Sequence, residues 1–354
     1  MAALTDEEII RFKREGCATP PTPANCPGAP SPSPAPPTPH GLGGHRWLLM
    51  RGLLDPELCR QARQRMWEVN EVPRCSPTDP DSWRASFSPD ESSSDVGNFR
   101  SGFNWRSRSI GTEELFLKLL PHNPKVLAIA DELMGPGTVA PCDSTGGVYA
   151  IMPRPRDSAR SPNLGLHVDS HLESRERIGL VGYIADVKPN SGAFGVWPRT
   201  HLRCWNLLRQ KTDRLHQANT EEGSGELRKI AGGPFTAQMR LEFEAIKRDT
   251  YSVDCCGSEG DVVFYHERKF TGILAGCCST KSERYRLRPG LGHHAGQNFG
   301  DDIRQAVLCR LEKTEASLPE ERLLADVEAN DIWQSWSDRL RSLPPHHPQA
   351  SPRL

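Results

Sequence analysis

Residues 164–174 read LGLHVDSHLES. His167 and Asp169 stand two apart. Alternate side chains of an extended chain point the same way, so this imidazole and this carboxylate can reach one ion together. The spacing is common by chance and also suits a polar strand end, so a metal site needs a third ligand from a distant segment. Two histidines and one carboxylate on one side of an ion, with the other side open, suit a mononuclear iron(II) centre that takes both an organic cosubstrate and oxygen. The same donors also suit zinc. Three downstream positions compete for the third place: His201 in VWPRTH, His266 in GDVVFYH, and the pair His293 and His294 in GLGHHAGQN. His171 and His294 read as bystanders or as hydrogen-bond partners that orient a ligand.

The elements that must hold these residues are short strands. From residue 138 on, apolar runs alternate with turn residues: GGVYAIM, NLGLHVD, IGLVGYIADV, GAFGVW, GDVVFYH and RQAVLCRL. This pattern predicts a small barrel or sandwich. Helices precede it. LTDEEIIRFKRE (residues 4–15) opens with a Thr cap and acids in its first turn. WLLMRGLLDPELCRQARQRMWEVN gives a strand, then a helix capped by Asp55 with Pro56 at its first position. TEELFLKLL and NPKVLAIADELMG follow, the second stopped by Gly135. Residues 17–44 carry ten prolines and little to bury; such a segment cannot offset its ordering entropy and reads as disordered.

The expected layout is an N-terminal helix in 1–16, the proline-rich insertion 17–44, and a catalytic domain 45–316 with a loop insertion at 269–290. A C-terminal helix at 317–342, with Trp333 and Trp336 packed beneath it, and a tail at 343–354 complete it. At 354 residues one large domain with extensions is expected. The 44 basic and 45 acidic residues nearly cancel, which argues against a nucleic-acid partner. No apolar run is long enough to span a bilayer. The eleven cysteines are scattered without zinc-finger spacing and are expected to be reduced thiols. A soluble, cytoplasmic protein acting on a small molecule is the expectation, with an organelle left open.

The ordered series LTDEEIIRFKREG, RGLLDPELC, HVD, SGAFGVWPRTH, GDVVFYH and GHHAGQNFGDDIRQAV resembles the phytanoyl-CoA dioxygenase-like, iron(II)- and 2-oxoglutarate-dependent oxygenases, from about residue 4 to about residue 312 with two interruptions. The resemblance implies a mainly β fold, a double-stranded β-helix (jelly roll, cupin-like) with flanking α-helices. It implies Fe(II) as cofactor, 2-oxoglutarate and O2 as cosubstrates, and hydroxylation with release of succinate and CO2. In that family the distal histidine opens an H-x-x-G-x-N-like stretch, and an arginine eleven residues on binds the far carboxylate of 2-oxoglutarate. Here His293 is followed at that offset by Arg304, whereas His201 leads to Thr212, His266 to Cys277 and His294 to Gln305. The resemblance thus implies His167, Asp169 and His293 as iron ligands and Arg304 as the carboxylate partner.

A guanidinium suits that role because it is always charged and binds carboxylates bidentately. In RQAVLCRL, Arg304, Ala306 and Leu308 share one strand face, with small and apolar neighbours beside the arginine. Arg284 and Arg286, inside the insertion, are weaker rivals at no fitting offset. Tyr149 is read either as a hydrogen-bond partner of 2-oxoglutarate or as a core tyrosine, Trp197 as core or pocket wall, and His201 and His266 as structural. One departure matters: the phytanoyl-CoA hydroxylases carry serine two residues after the distal histidine, and here that position is Ala295, which weakens any reading of a CoA-ester substrate. Asp169, in place of a small residue, argues against a halogenase. Two other readings stand: a non-catalytic jelly-roll binding protein with a degenerate metal site, and a zinc-dependent cupin-type hydrolase, which would have no need of Arg304.

Overall fold

The computed structural model describes residues 4–15, 48–69, 72, 74–159, 176–197, 200, 203, 241, 244–246, 248–249, 253–268, 292–314, 333–334 and 336–343. The insertions expected at 17–44 and 269–290 lie outside them.

Beside two short 3-10 helices at Pro80–Trp83 and Ser109–Thr112, five α-helices and ten strands are named here. In chain order they are α1 (Asp6–Glu15), β1 (Leu48–Met50), α2 (Pro56–Val69), β2 (Asn98–Ser101), β3 (Asn104–Ser107), α3 (Glu114–Leu119), α4 (Pro124–Met134), β4 (Val148–Ile151), β5 (Glu176–Tyr183), β6 (Phe194–Trp197), β7 (Val253–Cys255), β8 (Val262–Arg268), β9 (Gly292–Ala295), β10 (Arg304–Glu312) and α5 (Asp338–Ser342). Helix starts follow local chemistry. Thr5 Oγ1 accepts from the Glu8 amide while Glu8 Oε2 accepts from the Thr5 amide, a reciprocal cap that fixes α1. Asp55 Oδ1 accepts from the amides of Glu57 and Leu58, and Asn123 Oδ1 from those of Lys125 and Val126. Each cap contributes about 1 kcal/mol. Helix α4 ends at Gly135, whose φ of 117° disfavours any side chain.

The strands form a seven-stranded antiparallel sheet, β1-β8-β5-β10-β4-β3-β2, and a three-stranded one, β7-β6-β9. From β4 onward the chain passes repeatedly between them: β4 and β5 lie in the large sheet, β6 and β7 in the small, β8 in the large, β9 in the small and β10 in the large. This is a mainly β fold, the winding of a double-stranded β-helix, with helices packed on its large sheet.

The central strands are buried on both faces, which explains why they read as unbroken apolar runs. One face of the large sheet presents Val181, Tyr183, Val263, Tyr265 and Ala306 to Phe194, Val196 and Cys255 of the small sheet. The other presents Leu180, Phe264, Val307 and Cys309 to Ile9, Met66, Phe116, Ile129 and Leu340 of the helices. Gly179 sits directly under the Tyr265 ring, where an added Cβ would stand 2.1 Å from a ring carbon.

The C-terminal helix expected across 317–342 is confined, among the described residues, to Asp338–Ser342, because Ser337 caps a helix that begins there: its Oγ accepts from the Leu340 amide. Trp333 and Trp336 precede it in a turn and pack on Phe12, with ring centroids 5.8 Å away in both cases.

Candidate functional site

Arg304 opens β10 on the face that looks into the barrel. It pairs with Ile151 of β4, and two residues on Ala306 pairs with both Tyr149 and Tyr183. The Arg304 side chain is 3% exposed. Its guanidinium lies 5.7 Å from the centre of the Tyr183 ring, and one terminal nitrogen donates to the Tyr149 carbonyl at 3.3 Å. Its Nε has no hydrogen-bond partner, and it forms no ion pair among the described residues. Burial makes the charged form less favourable and lowers its pKa. A cation held this way is uncompensated by several kcal/mol until an anion meets it.

Tyr183, which the sequence did not single out, braces the site between the two sheets. Its hydroxyl donates to the Cys255 carbonyl at 2.5 Å and accepts from the Phe194 amide at 3.4 Å. Burial pushes the phenol well above its ordinary value, so it stays a neutral donor.

Tyr149 lies on the same face toward the barrel edge, half-buried. Its hydroxyl accepts from Arg108 Nε at 3.1 Å, leaving its own proton free to donate. Arg106 and Arg108 stack on its ring, 5.3 and 5.6 Å from the centre. No carboxylate pairs with either arginine among the described residues. Tyr149 therefore supports Arg304 through its main chain and ends in a cationic rim.

His293 and His294 stand on β9. Position 293 pairs with Val196 and position 295 with Phe194, both in the core between the sheets, whereas position 294 pairs with Gly195. Directly paired residues share a face, so position 293 shares the sheet face of Val196 and position 294 that of Gly195. The side chains of 292–295 are outside the described residues. The loop from β9 to Arg304 is held by Asn298, fully buried, whose Nδ2 donates to the carbonyls of Ile151 and Asp302 at 2.8 Å each. Its Oδ1 accepts from the Gly300 amide at 2.9 Å. Gly296 allows the same loop to close on Ala193, whose carbonyl oxygen would stand 2.9 Å from an added Cβ. Asn298 thus sets the geometry behind the offset between 293 and 304. Asn298→Ala leaves two carbonyls without donors and is expected to destabilise the fold by about 2 to 4 kcal/mol in urea denaturation. A change below about 0.5 kcal/mol would show that the loop is held otherwise.

His266 points the other way. It is fully buried on the helical face of β8, stacked on Trp336 at 5.1 Å and edge-on to Trp333 at 4.9 Å. It cannot share an ion with groups inside the barrel. His167, Asp169, His171, His201, Arg284 and Arg286 lie outside the described residues. Among the described residues no three His, Cys, Asp or Glu side chains converge as metal ligands. A cavity of about 450 Å³ lined by Arg63, Trp67, Trp83, Glu259 and Gln305 opens on the opposite side of the sheet from Arg304, and we assign it no part in the site. No described helix is long and apolar enough to cross a membrane.

No protein-family model matches the chain, and no curated protein matches it in sequence. Among solved structures it is similar to SnoK, a non-heme alpha-ketoglutarate-dependent carbocyclase from nogalamycin biosynthesis (13% identity, 89% of this chain and 86% of that one, TM-score 0.41). It is similar also to AviO1 from Streptomyces viridochromogenes Tue57 (13%, 88% and 96%, 0.42). A third is HygX from Streptomyces hygroscopicus, solved with nickel, 2-oxoglutarate and hygromycin B (12%, 87% and 87%, 0.39). The strand order described above, not these likenesses, carries the fold.

Proposed function

We propose that the chain is an iron(II)- and 2-oxoglutarate-dependent dioxygenase that hydroxylates a small organic substrate and releases succinate and CO2. The observation that supports it most is Arg304: a buried guanidinium inside the barrel, with an unpartnered Nε and no carboxylate against it among the described residues. A dicarboxylate whose other end is anchored to a metal supplies the missing charge and accepts from the fork. The residues present fit that cosubstrate. His167, Asp169 and His293 would hold the ion; position 293 pairs with Val196, whose side chain is in the core between the sheets.

Iron(II), once bound, supplies the capacity to activate oxygen; the chain's own residues do the rest. Arg304 fixes the far carboxylate, and Tyr183 keeps the guanidinium in place from below. Val181, Val263, Phe194, Val196 and Ala306 form the apolar wall that keeps water from the bound pair.

The test is a thermal shift under anaerobic conditions. Iron(II) and 2-oxoglutarate together, each about 100-fold above its dissociation constant, are expected to add at least about 2.7 kcal/mol to stability, and 2-oxoglutarate without metal much less. A metal-dependent shift indifferent to 2-oxoglutarate would favour a zinc hydrolase and defeat this reading.

A further inference from the structure

The opposite face of β10 carries a second reactive feature. Cys309 is 4% exposed on the helical side of the strand, and its Sγ lies 3.6 Å from that of Cys142, in the segment leading to β4. Both are free thiols. Main-chain bonds on either side of Cys142 hold this segment beside β10: the Ala140 amide donates to the Glu312 carbonyl at 2.7 Å and the Gly146 amide to the Leu308 carbonyl at 2.6 Å. His122 Nε2 donates to the Cys142 carbonyl at 2.7 Å.

The two sulfurs are unlike. Cys142 is half-buried and reachable from solvent, whereas Cys309 is sealed. Either sulfur can donate across that contact, and the Cys142 thiol also donates to the Ser144 carbonyl at 3.1 Å; the contact with Cys309 lowers the Cys142 pKa although partial burial opposes this. The same bond, with burial, pushes Cys309 well above its ordinary value. The more accessible thiol is therefore the more acidic of the two, the arrangement that makes one thiol nucleophilic and holds the other in reserve.

We propose that Cys142 and Cys309 form a peroxide-reactive dithiol, with Cys142 attacking the oxidant and Cys309 closing a disulfide. The Cys142 thiolate attacks one oxygen of hydrogen peroxide, the O–O bond breaks, and the leaving hydroxide takes a proton to become water, leaving a sulfenic acid. The Cys309 sulfur then attacks the Cys142 sulfur, the S–O bond breaks, and hydroxide leaves with the Cys309 proton as a second water. In sum two thiols and one peroxide give one disulfide and two waters. The sulfurs need close only from 3.6 Å to the covalent length of about 2 Å. The reaction proceeds on the face away from Arg304 and stands whether or not the oxygenase reading does.

The experiment uses the full chain in the presence of a chelator, so that no iron chemistry contributes. After a stoichiometric dose of hydrogen peroxide, peptide mapping is expected to find Cys142 joined to Cys309 with the loss of two hydrogens. Cys309→Ser is expected to stop at a sulfenic acid on Cys142 that dimedone traps. In the untreated protein, alkylation of Cys142 by iodoacetamide at pH 7 is expected to outpace that of the half-buried Cys256 at least tenfold. Peroxide that oxidises other cysteines while Cys142 and Cys309 stay unlinked, or Cys142 alkylating no faster than Cys256, would overturn the proposal.

Discussion

Arg304→Ala is expected to weaken 2-oxoglutarate on the order of thirtyfold or more, about 2 to 5 kcal/mol, while leaving iron(II) affinity nearly unchanged. On the proposed reading the lost contact would be charge-assisted, bidentate and buried, and no other guanidinium is described at its place in the barrel. Arg304→Lys is expected to recover only part of the loss, since an ammonium supplies one point charge where the cosubstrate meets a fork. A second readout separates a ligand clamp from a structural arginine. Without ligand, Arg304→Met removes a buried cation that lacks a carboxylate among the described residues, so the melting temperature is expected to hold or rise. Calorimetric titration of 2-oxoglutarate and a thermal melt of the unliganded variants check both. An unchanged dissociation constant in Arg304→Ala would remove Arg304 from the site and send the search to Arg284 and Arg286.

His167→Ala, Asp169→Ala and His293→Ala are each expected to abolish iron-dependent turnover and to remove stable iron binding, because three ligands on one side of the ion leave no spare donor. His294→Ala, at the next position of the same strand and so on its other face, is expected to retain the metal. So is His266→Ala, which gives the sharper contrast. Its ring fills the space between Trp333 and Trp336, so its removal is expected to lower stability by about 2 to 4 kcal/mol without touching iron. His201→Ala is expected to keep iron as well. Metal analysis of purified variants, with urea denaturation alongside, separates the two kinds of loss. Retention of iron in His293→Ala with loss in His266→Ala would reverse the assignment.

Much of the fold was legible in the sequence because local chemistry determined it. Asp55-Pro56 and Asn123-Pro124 start helices where they were expected, Gly135 ends one, and the runs at 148–151, 178–183, 262–266 and 304–311 are strands. The shared face of Arg304, Ala306 and Leu308 followed from the period of two, and the structure places Ala306 in the inter-sheet core with Leu308 packed against it. The β2–β3 hairpin did not show itself. NFRSGFNWRS mixes arginines with aromatics, of which Trp105 alone is fully buried, and has no clean alternation, and its turn depends on Gly102 at a φ of 59°. Strands β7 and β9 were too short and polar to read. At the site, Tyr183 was missed, and Asn298, the last residue of the H-x-x-G-x-N-like stretch that opens at His293, was given no role of its own. Each acts through contacts with segments far away in sequence, Tyr183 on Cys255 and Asn298 on Ile151, which the local pattern does not show. Arg304 was singled out because its spacing from His293 matches the offset of the family that the sequence resembles.

The most direct test of the central claim is an anaerobic titration of the chain with iron(II) at saturating 2-oxoglutarate, following the weak visible charge-transfer band of the chelate. The account predicts a band that saturates at one iron per chain, is absent in His293→Ala, and in Arg304→Ala appears only at much higher 2-oxoglutarate. A folded wild-type chain that binds iron(II) without developing the band, or a full band in His293→Ala, would contradict it.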